Sequence, residues 1–204
     1  MSNITFNNLA PLSTYLGKPG DPAKGGVPWE EYLRRQEQHR VAETAAMLDT
    51  AHFVRRASEL YGYDNFICDT SGSICEIVDP HDPNDPVLSA LGHNLLMIWI
   101  EGSEAHTQEL VRRFDRAPKP MCYQQAFLED AWSEYLVANK VSAAKVDPND
   151  FVRWTYARAL AHRQPRYRAM AENWGITIAA DDIAKVRHEA DMIELVAHAL
   201  ENSP

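Results

Sequence analysis

The 204-residue chain reads as an α/β protein with few strands, because stretches of helical periodicity alternate with short apolar runs. Two runs carry the strand reading. Phe66-Ile67-Cys68-Asp69 ends in an acid and is followed at once by Thr70-Ser71-Gly72-Ser73, and Leu95-Leu96-Met97-Ile98-Trp99-Ile100 is a second buried-strand pattern. Ile176-Thr177-Ile178 predicts a short third strand. The order helix, strand, helix, strand, helices, strand, helix leaves a sheet that is short for a chain of this length.

Residues 1–28 form a loop-rich segment with a breaker cluster, Gly17 through Pro28. Its Gly25-Gly26 pair lacks a following Lys-[Ser/Thr], so a flexible loop is expected rather than a phosphate loop. Residues 29–204 form a single α/β domain in this reading. A long helix is predicted from Trp29 to Leu60, with Val41, Ala45, Leu48, Phe53, Ala57 and Leu60 at helical spacing, and Gly62 ends it. Asp79-Pro80, Asp82-Pro83 and Asp85-Pro86 are turn chemistry more than metal ligands, and Asp85-Pro86 opens a short helix as N-cap and first residue. Ser103 caps the helix that carries Leu110, Val111 and Phe114, and Pro118 and Pro120 stop it. A further helix spans roughly Gln124 to Ala138. Asp147-Pro148 opens another through Phe151, Trp154 and Leu160, which Pro165 kinks or ends. The last helix spaces Ile183, Val186, Ala190, Ile193, Ala197 and Leu200 as a narrow seam, read as core packing.

Composition excludes several functions. A formal net charge of −9 and a pI near 5.3 argue against generic nucleic-acid or anionic-membrane binding. No apolar run approaches the roughly 18 residues that span a bilayer, and Met1-Ser2-Asn3-Ile4-Thr5-Phe6 has no signal-peptide pattern. Cys68, Cys75 and Cys122 are odd in number and lack metal-ligand spacing, which fits a reducing cytoplasm with Cys68 as a small buried apolar residue. The histidines form no His-Glu-x-x-His or other metal set.

The chemistry concentrates in one acid and two basic islands. Asp69, at the carboxyl end of a parallel strand, is placed to hold a Mg²⁺-bound water or to accept a proton from an attacking hydroxyl. Thr70, Ser71 and Ser73 offer hydroxyl and backbone N–H contacts to a phosphate. The competing reading is an aspartate in a turn through Gly72. Arg112, Arg113 and Arg116, with Lys119, form one basic cluster. Arg153, Arg158, Arg163, Arg166 and Arg168 form another with no acid among them. In an acidic protein such islands are either anion sites or solvated helix faces paired with acids elsewhere. No Gly-x-x-x-x-Gly-Lys-[Ser/Thr] occurs, so the residues suggest half of a nucleotide site.

The segments at 64–76 (Asp-Asn-Phe-Ile-Cys-Asp-Thr-Ser-Gly-Ser-Ile-Cys-Glu), 100–121 and 151–167 resemble a poorly characterised group of bacterial proteins described as ATPases, similar to P-loop kinases in layout. The resemblance implies a helix-rich, P-loop NTPase-like three-layer fold with a short, incomplete parallel sheet. It implies ATP and Mg²⁺ as cofactors and ATP hydrolysis or phosphoryl transfer as the activity. Asp69 then matches the acid after the third strand, serving as metal ligand or base. Arg112, Arg113 and Arg116 match the lid and neutralise phosphate, and Ile176-Thr177-Ile178 matches the last strand. Relative to that group, a first strand, phosphate loop, helix and second strand would precede the segment that begins near Asn3-Ile4-Thr5. The expected consequence is a sheet with a slot between the Phe66 and Leu95 strands, or the two closed up as a pair.

These readings converge on a cytoplasmic ATPase-like or kinase-like protein. Catalysis is expected from Asp69, Arg112, Arg113 and Arg116, and phosphate contacts from Thr70, Ser71, Ser73, Arg158, Arg163 and Arg166. Its partner would be a nucleotide or other phosphorylated small molecule, not nucleic acid or membrane, and oligomers are compatible. The alternative is a non-catalytic helical interaction or regulatory domain that binds a protein partner.

Overall fold

The computed structural model describes residues 14–70 and 72–201, which are mostly helical with one short parallel sheet, a helix-rich α/β architecture. In chain order the main elements are α1 (Trp29–Leu48), α2 (Thr50–Tyr61), α3 (Pro86–Gly92), β1 (Met97–Glu101), α4 (Glu104–Arg116), α5 (Gln125–Asn139), α6 (Pro148–Trp174), β2 (Gly175–Ala179), α7 (Ala180–Ile183) and α8 (Glu189–Glu201). β1 and β2 pair in parallel from Met97↔Gly175 to Glu101↔Ala179.

The residues fall into two compact units. The first holds the chain up to Ala42 and Val111–Ala159; the second holds Glu43–Leu110 and the chain from Leu160 onward.

In the first unit the core is aromatic. Trp29 stacks on Trp132 with ring centroids 4.3 Å apart, Phe114 stacks on Tyr156 at 3.8 Å, and Phe151 meets Trp132 and Tyr135 edge-on. Such pairs add roughly 0.5–1.5 kcal/mol each beyond the area they bury. The chain after Pro118 and Pro120 has no regular structure, so its backbone polar groups need other partners. The buried Gln36 side chain meets that need. Its Nε2 donates to the Met121 carbonyl at 2.9 Å, and its Oε1 accepts from the Tyr123 N–H at 3.0 Å. The breaker-rich segment before α1 is a loop, but it is fixed rather than flexible. Gly20 N–H donates to Val27 O, Val27 N–H donates to Lys18 O, Pro19 and Val27 bridge in parallel, and the Asp21 N–H donates to Val146 O at 2.8 Å. Gly20, at φ 145°, is required there, because a Cβ would lie 2.5 Å from the Val146 carbonyl oxygen.

The second unit is built around a different core: Ile74, Cys75, Val78, Val87, Leu88, Leu91 and Met170. Asp85 caps α3 as its sequence predicts, accepting from the Val87 and Leu88 N–H groups and also from Asp79 N–H. Gly62, at φ 64°, closes α2 by donating its N–H to Ser58 O. Across this core, the C-terminal half of α6 holds the short 3₁₀ turn Gly72–Glu76 and the chain that follows it. Arg163 Nε donates to Glu76 Oε1 at 2.5 Å with both side chains buried, and Arg166 donates to the carbonyls of Cys75 and Val78. Tyr167 OH reaches Gly72 O, and Asn173 and Trp174 reach Pro80 O.

Four further expectations change. Phe66–Asp69 is not a strand: residues 65–70 are irregular, and Ile67 is 92% exposed. A strand needs a neighbour for its backbone, and β1 takes β2 rather than this segment, so the two neither pair nor flank a slot. The long N-terminal helix divides at Asp49 into α1 and α2. Pro165 does not end α6, which runs on to Trp174. The carbonyl four residues back belongs to exposed Ala161, where water can replace the missing donor. The C-terminal seam divides between α7 and α8, and α8 has no buried residue, because the sheet it rests on is only two strands wide.

The Arg163–Glu76 pair yields a test. Removing one partner strands a buried charge and costs about 3–5 kcal/mol, while replacing both by apolar groups costs far less. Arg163→Met is therefore expected to lower the urea midpoint strongly, and Arg163→Met with Glu76→Leu to regain more than half of the loss.

Candidate functional site

Ligands of open parallel sheets bind outside the carboxyl ends of the strands, where backbone groups point outward and helix N-termini converge. In the second unit the register Glu101↔Ala179 sets the two carboxyl ends side by side. β1 ends at Glu101, and Gly102 turns the chain so tightly that a Cβ there would lie 3.2 Å from His106 Cβ. Ser103 then caps the thirteen-residue α4.

The cap is reciprocal, with histidine in the place a glutamate often takes. Ser103 N–H donates to His106 Nδ1 at 3.0 Å, while Ser103 Oγ accepts from His106 N–H at 3.4 Å. Because Nδ1 accepts, the neutral ring carries its proton on Nε2. That nitrogen lies 3.9 Å from Asp181 Oδ1, beyond β2. Arg168 of α6 places Nη2 3.7 Å from Glu101 Oε1. Glu101, Ser103, His106, Arg168 and Asp181 thus gather at one sheet edge. Two carboxylates, a hydroxyl, an imidazole and a guanidinium can together bind a phosphate with a divalent cation, or a small polar molecule. Ser103 Oγ is also 3.1 Å from His106 Nδ1. Nucleophilic activation is poorly served by that contact, because Nδ1 already accepts the Ser103 N–H and His106 does not come within hydrogen-bond range of Asp181.

The residues singled out in the sequence are placed as follows. Asp69 is exposed and Thr70 half-buried in the irregular segment 65–70, and Ser71 lies outside the described residues. Ser73, in the 3₁₀ turn, donates its hydroxyl to Glu43 Oε1 at 2.5 Å. Arg163 and Arg166 come together beside Ser73's turn, but Glu76 and two main-chain carbonyls take their guanidinium groups. Arg158 is exposed, lies over the Trp154 ring at 3.5 Å and donates to the Trp154 carbonyl. Arg112, Arg113 and Arg116 are exposed along the last turns of α4. They belong to the first unit, whereas Asp69 belongs to the second.

Beside the Arg163–Glu76 pair, burial shifts three titrating groups. It raises Tyr167 well above the usual phenol range, and it lowers His162, helped by the positive charges of Arg166 and Arg163. It also pushes the Cys75 thiol up to about 11, with the adjacent Glu76 carboxylate adding to the effect. Cys75 is therefore a structural thiol.

The sequence reading missed Glu101, His106 and Asp181 as site residues, and named Arg168 only as a member of the basic cluster. A signal for two of them was present: each follows a predicted strand within a few residues, Glu101 after Leu95–Ile100 and Asp181 after Ile176–Ile178. No protein-family model, curated protein or solved structure matches the chain.

For Cys75, iodoacetamide at pH 8 is expected to leave the native thiol unmodified, since about one part in a thousand is thiolate three units below its pKa. Peptide mass spectrometry should find it alkylated only after denaturation.

Proposed function

We propose that this chain is a nucleotide-binding, ATPase-like or kinase-like protein of the P-loop NTPase-like layout, and that it receives phosphate at the carboxyl edge of β1 and β2. The carrying observation is the parallel register that brings Glu101 and Ala179 level, with the α4 N-terminus at the same edge. Support also comes from the segments at 64–76 and 100–121 that resemble the bacterial ATPase group.

The donor chemistry suits the expected cofactors. Glu101, Asp181 and the Ser103 hydroxyl are oxygen donors of the kind Mg²⁺ takes, and a bound ion there supplies neutralising charge to phosphate oxygens. Arg168 and the Nε2–H of His106 donate to a phosphate, and the α4 N-terminus adds its positive dipole end. Asp69, on the resemblance, is the competing position for the metal-organising acid, with Arg112, Arg113 and Arg116 as phosphate-neutralising groups.

A second reading, a helical interaction domain for a protein partner, is favoured by a separate observation. Phe53 and Leu60 of α2 and Ile193 and Leu200 of α8 are each about half or more exposed. Such apolar faces on ordered helices are surfaces that partners cover.

Calorimetric titration of the full chain with Mg-ATP tests the first reading. A saturable heat is expected, weakened about tenfold in Arg168→Ala, a loss of roughly 1.4 kcal/mol. Weakening in Glu101→Gln but not in Asp69→Ala assigns the acid to the sheet edge, and the reverse assigns it to Asp69. Absence of heat with the unsubstituted chain overturns the nucleotide reading.

A further inference from the structure

α8 has no buried residue, and its exposed side is organised. Its half-buried side, Met192, Leu195, Val196 and Ala199, is turned toward β2. A neighbouring flank carries Ile193, Ala197 and Leu200, all exposed and spaced i, i+4, i+7, so they line one stripe. Glu194 and Glu201 run alongside it, seven residues apart. Neither makes an ion pair or side-chain hydrogen bond among the described residues. On that flank the helix borders a groove of about 620 Å³ whose far wall is the chain around Asp182 and Val186, and which also meets Asp191 and Leu195. The wall's lysine, Lys185, is already paired with Asp182 at 2.8 Å. The surface is thus an apolar stripe with unneutralised carboxylates along one side.

We propose that this face of α8 is a docking site for a basic amphipathic helix of another protein. An apolar stripe at i, i+4, i+7 is the complement of a helix that presents apolar residues at the same spacing. α8 has thirteen residues, about 20 Å at 1.5 Å per residue, which matches a partner of three to four turns. Charge decides which helix fits. A second copy docking α8 on α8 would bring together two helices that each carry Glu189, Asp191, Glu194 and Glu201, and like charges across an interface are repelled. A helix with Lys or Arg flanking its apolar stripe places ammonium or guanidinium groups against Glu194 and Glu201 while its apolar side chains cover Ile193 and Leu200. The contact is small, so the complex is transient and salt-sensitive. This inference rests on the interaction-domain reading and is independent of nucleotide binding.

Fluorescence anisotropy with the full chain tests it, using a labelled synthetic helix of about 14 residues with leucines on one stripe and lysines on its flanks. A second peptide has glutamates in place of the lysines. The lysine peptide is expected to bind saturably, with affinity falling as salt rises, and the glutamate peptide not to bind. Glu194→Lys with Glu201→Lys is expected to weaken binding about tenfold or more. The same charge change on exposed positions of α5, Asp130→Lys with Glu134→Lys, is expected to leave it within about twofold. Ile193→Ser with Leu200→Ser, which leaves the charge alone, is expected to weaken it as well. Equal weakening by the α5 pair overturns the site, because the peptide would then be reading net charge. Tighter binding of the glutamate peptide overturns the partner's charge but leaves an interaction face on α8. Failure of both peptides overturns the docking site and the interaction reading of this helix together, and the Mg-ATP titration is unaffected by either result.

Discussion

The second unit depends on how α6 meets the chain between Gly72 and Pro80. That stretch contains one short 3₁₀ turn and no strand, so its carbonyls have no ladder to satisfy them. Arg163, Arg166, Tyr167, Asn173 and Trp174, all on α6, donate to Glu76 or to main-chain oxygens at Gly72, Cys75, Val78 and Pro80. The guanidinium and carboxylate of the central pair are both removed from water. Their desolvation is offset only while the contact persists, and this fixes the register of the turn against the helix. With that register set, Ile74, Cys75 and Val78 face Val87, Leu88, Leu91 and Met170.

The same anchoring explains why arginines that read as an anion site serve a structural purpose. A run of five arginines without an acid leaves its charge unexplained in sequence. Glu76 and the free carbonyls that absorb Arg163 and Arg166 lie almost ninety positions earlier in the chain. Arg168, two residues beyond Arg166, takes a different role because the helical turn carries it to Glu101 at the sheet edge. One basic cluster is thereby divided between a buried anchor and a candidate binding group.

A two-stranded parallel sheet is a narrow base for a unit of this size, since parallel sheets are normally wide and covered on both faces. Its narrowness accounts for the exposed apolar side chains on α8, which rests on it. The nucleotide and interaction readings use different parts of the unit, the first the carboxyl edge of the sheet and the second the outer face of α8. They are compatible in one molecule.

Capping and turn chemistry was legible in the residues. The Asp85 and Ser103 caps, the Asp147-Pro148 helix start and the Gly62 stop form where the sequence places them, because each rests on contacts within a few positions. The strands around Ile98 and Ile176 also form where their apolar runs place them, but they hold together by pairing with each other. What the sequence left open was everything that needs a distant partner. Phe66-Ile67-Cys68-Asp69 has the composition of a strand, and no neighbouring strand pairs with it. The apolar seam of α8 has the spacing of a core helix, and the sheet beneath is too narrow to enclose it. The candidate site was half visible, as strand ends at Glu101 and near Asp181. The parallel register that joins them, and the turn of α6 that adds Arg168, arise only when segments some seventy residues apart come together. Periodicity and capping report on the nearest turn of chain; pairing and burial are decided by which surfaces the folded backbone brings into contact.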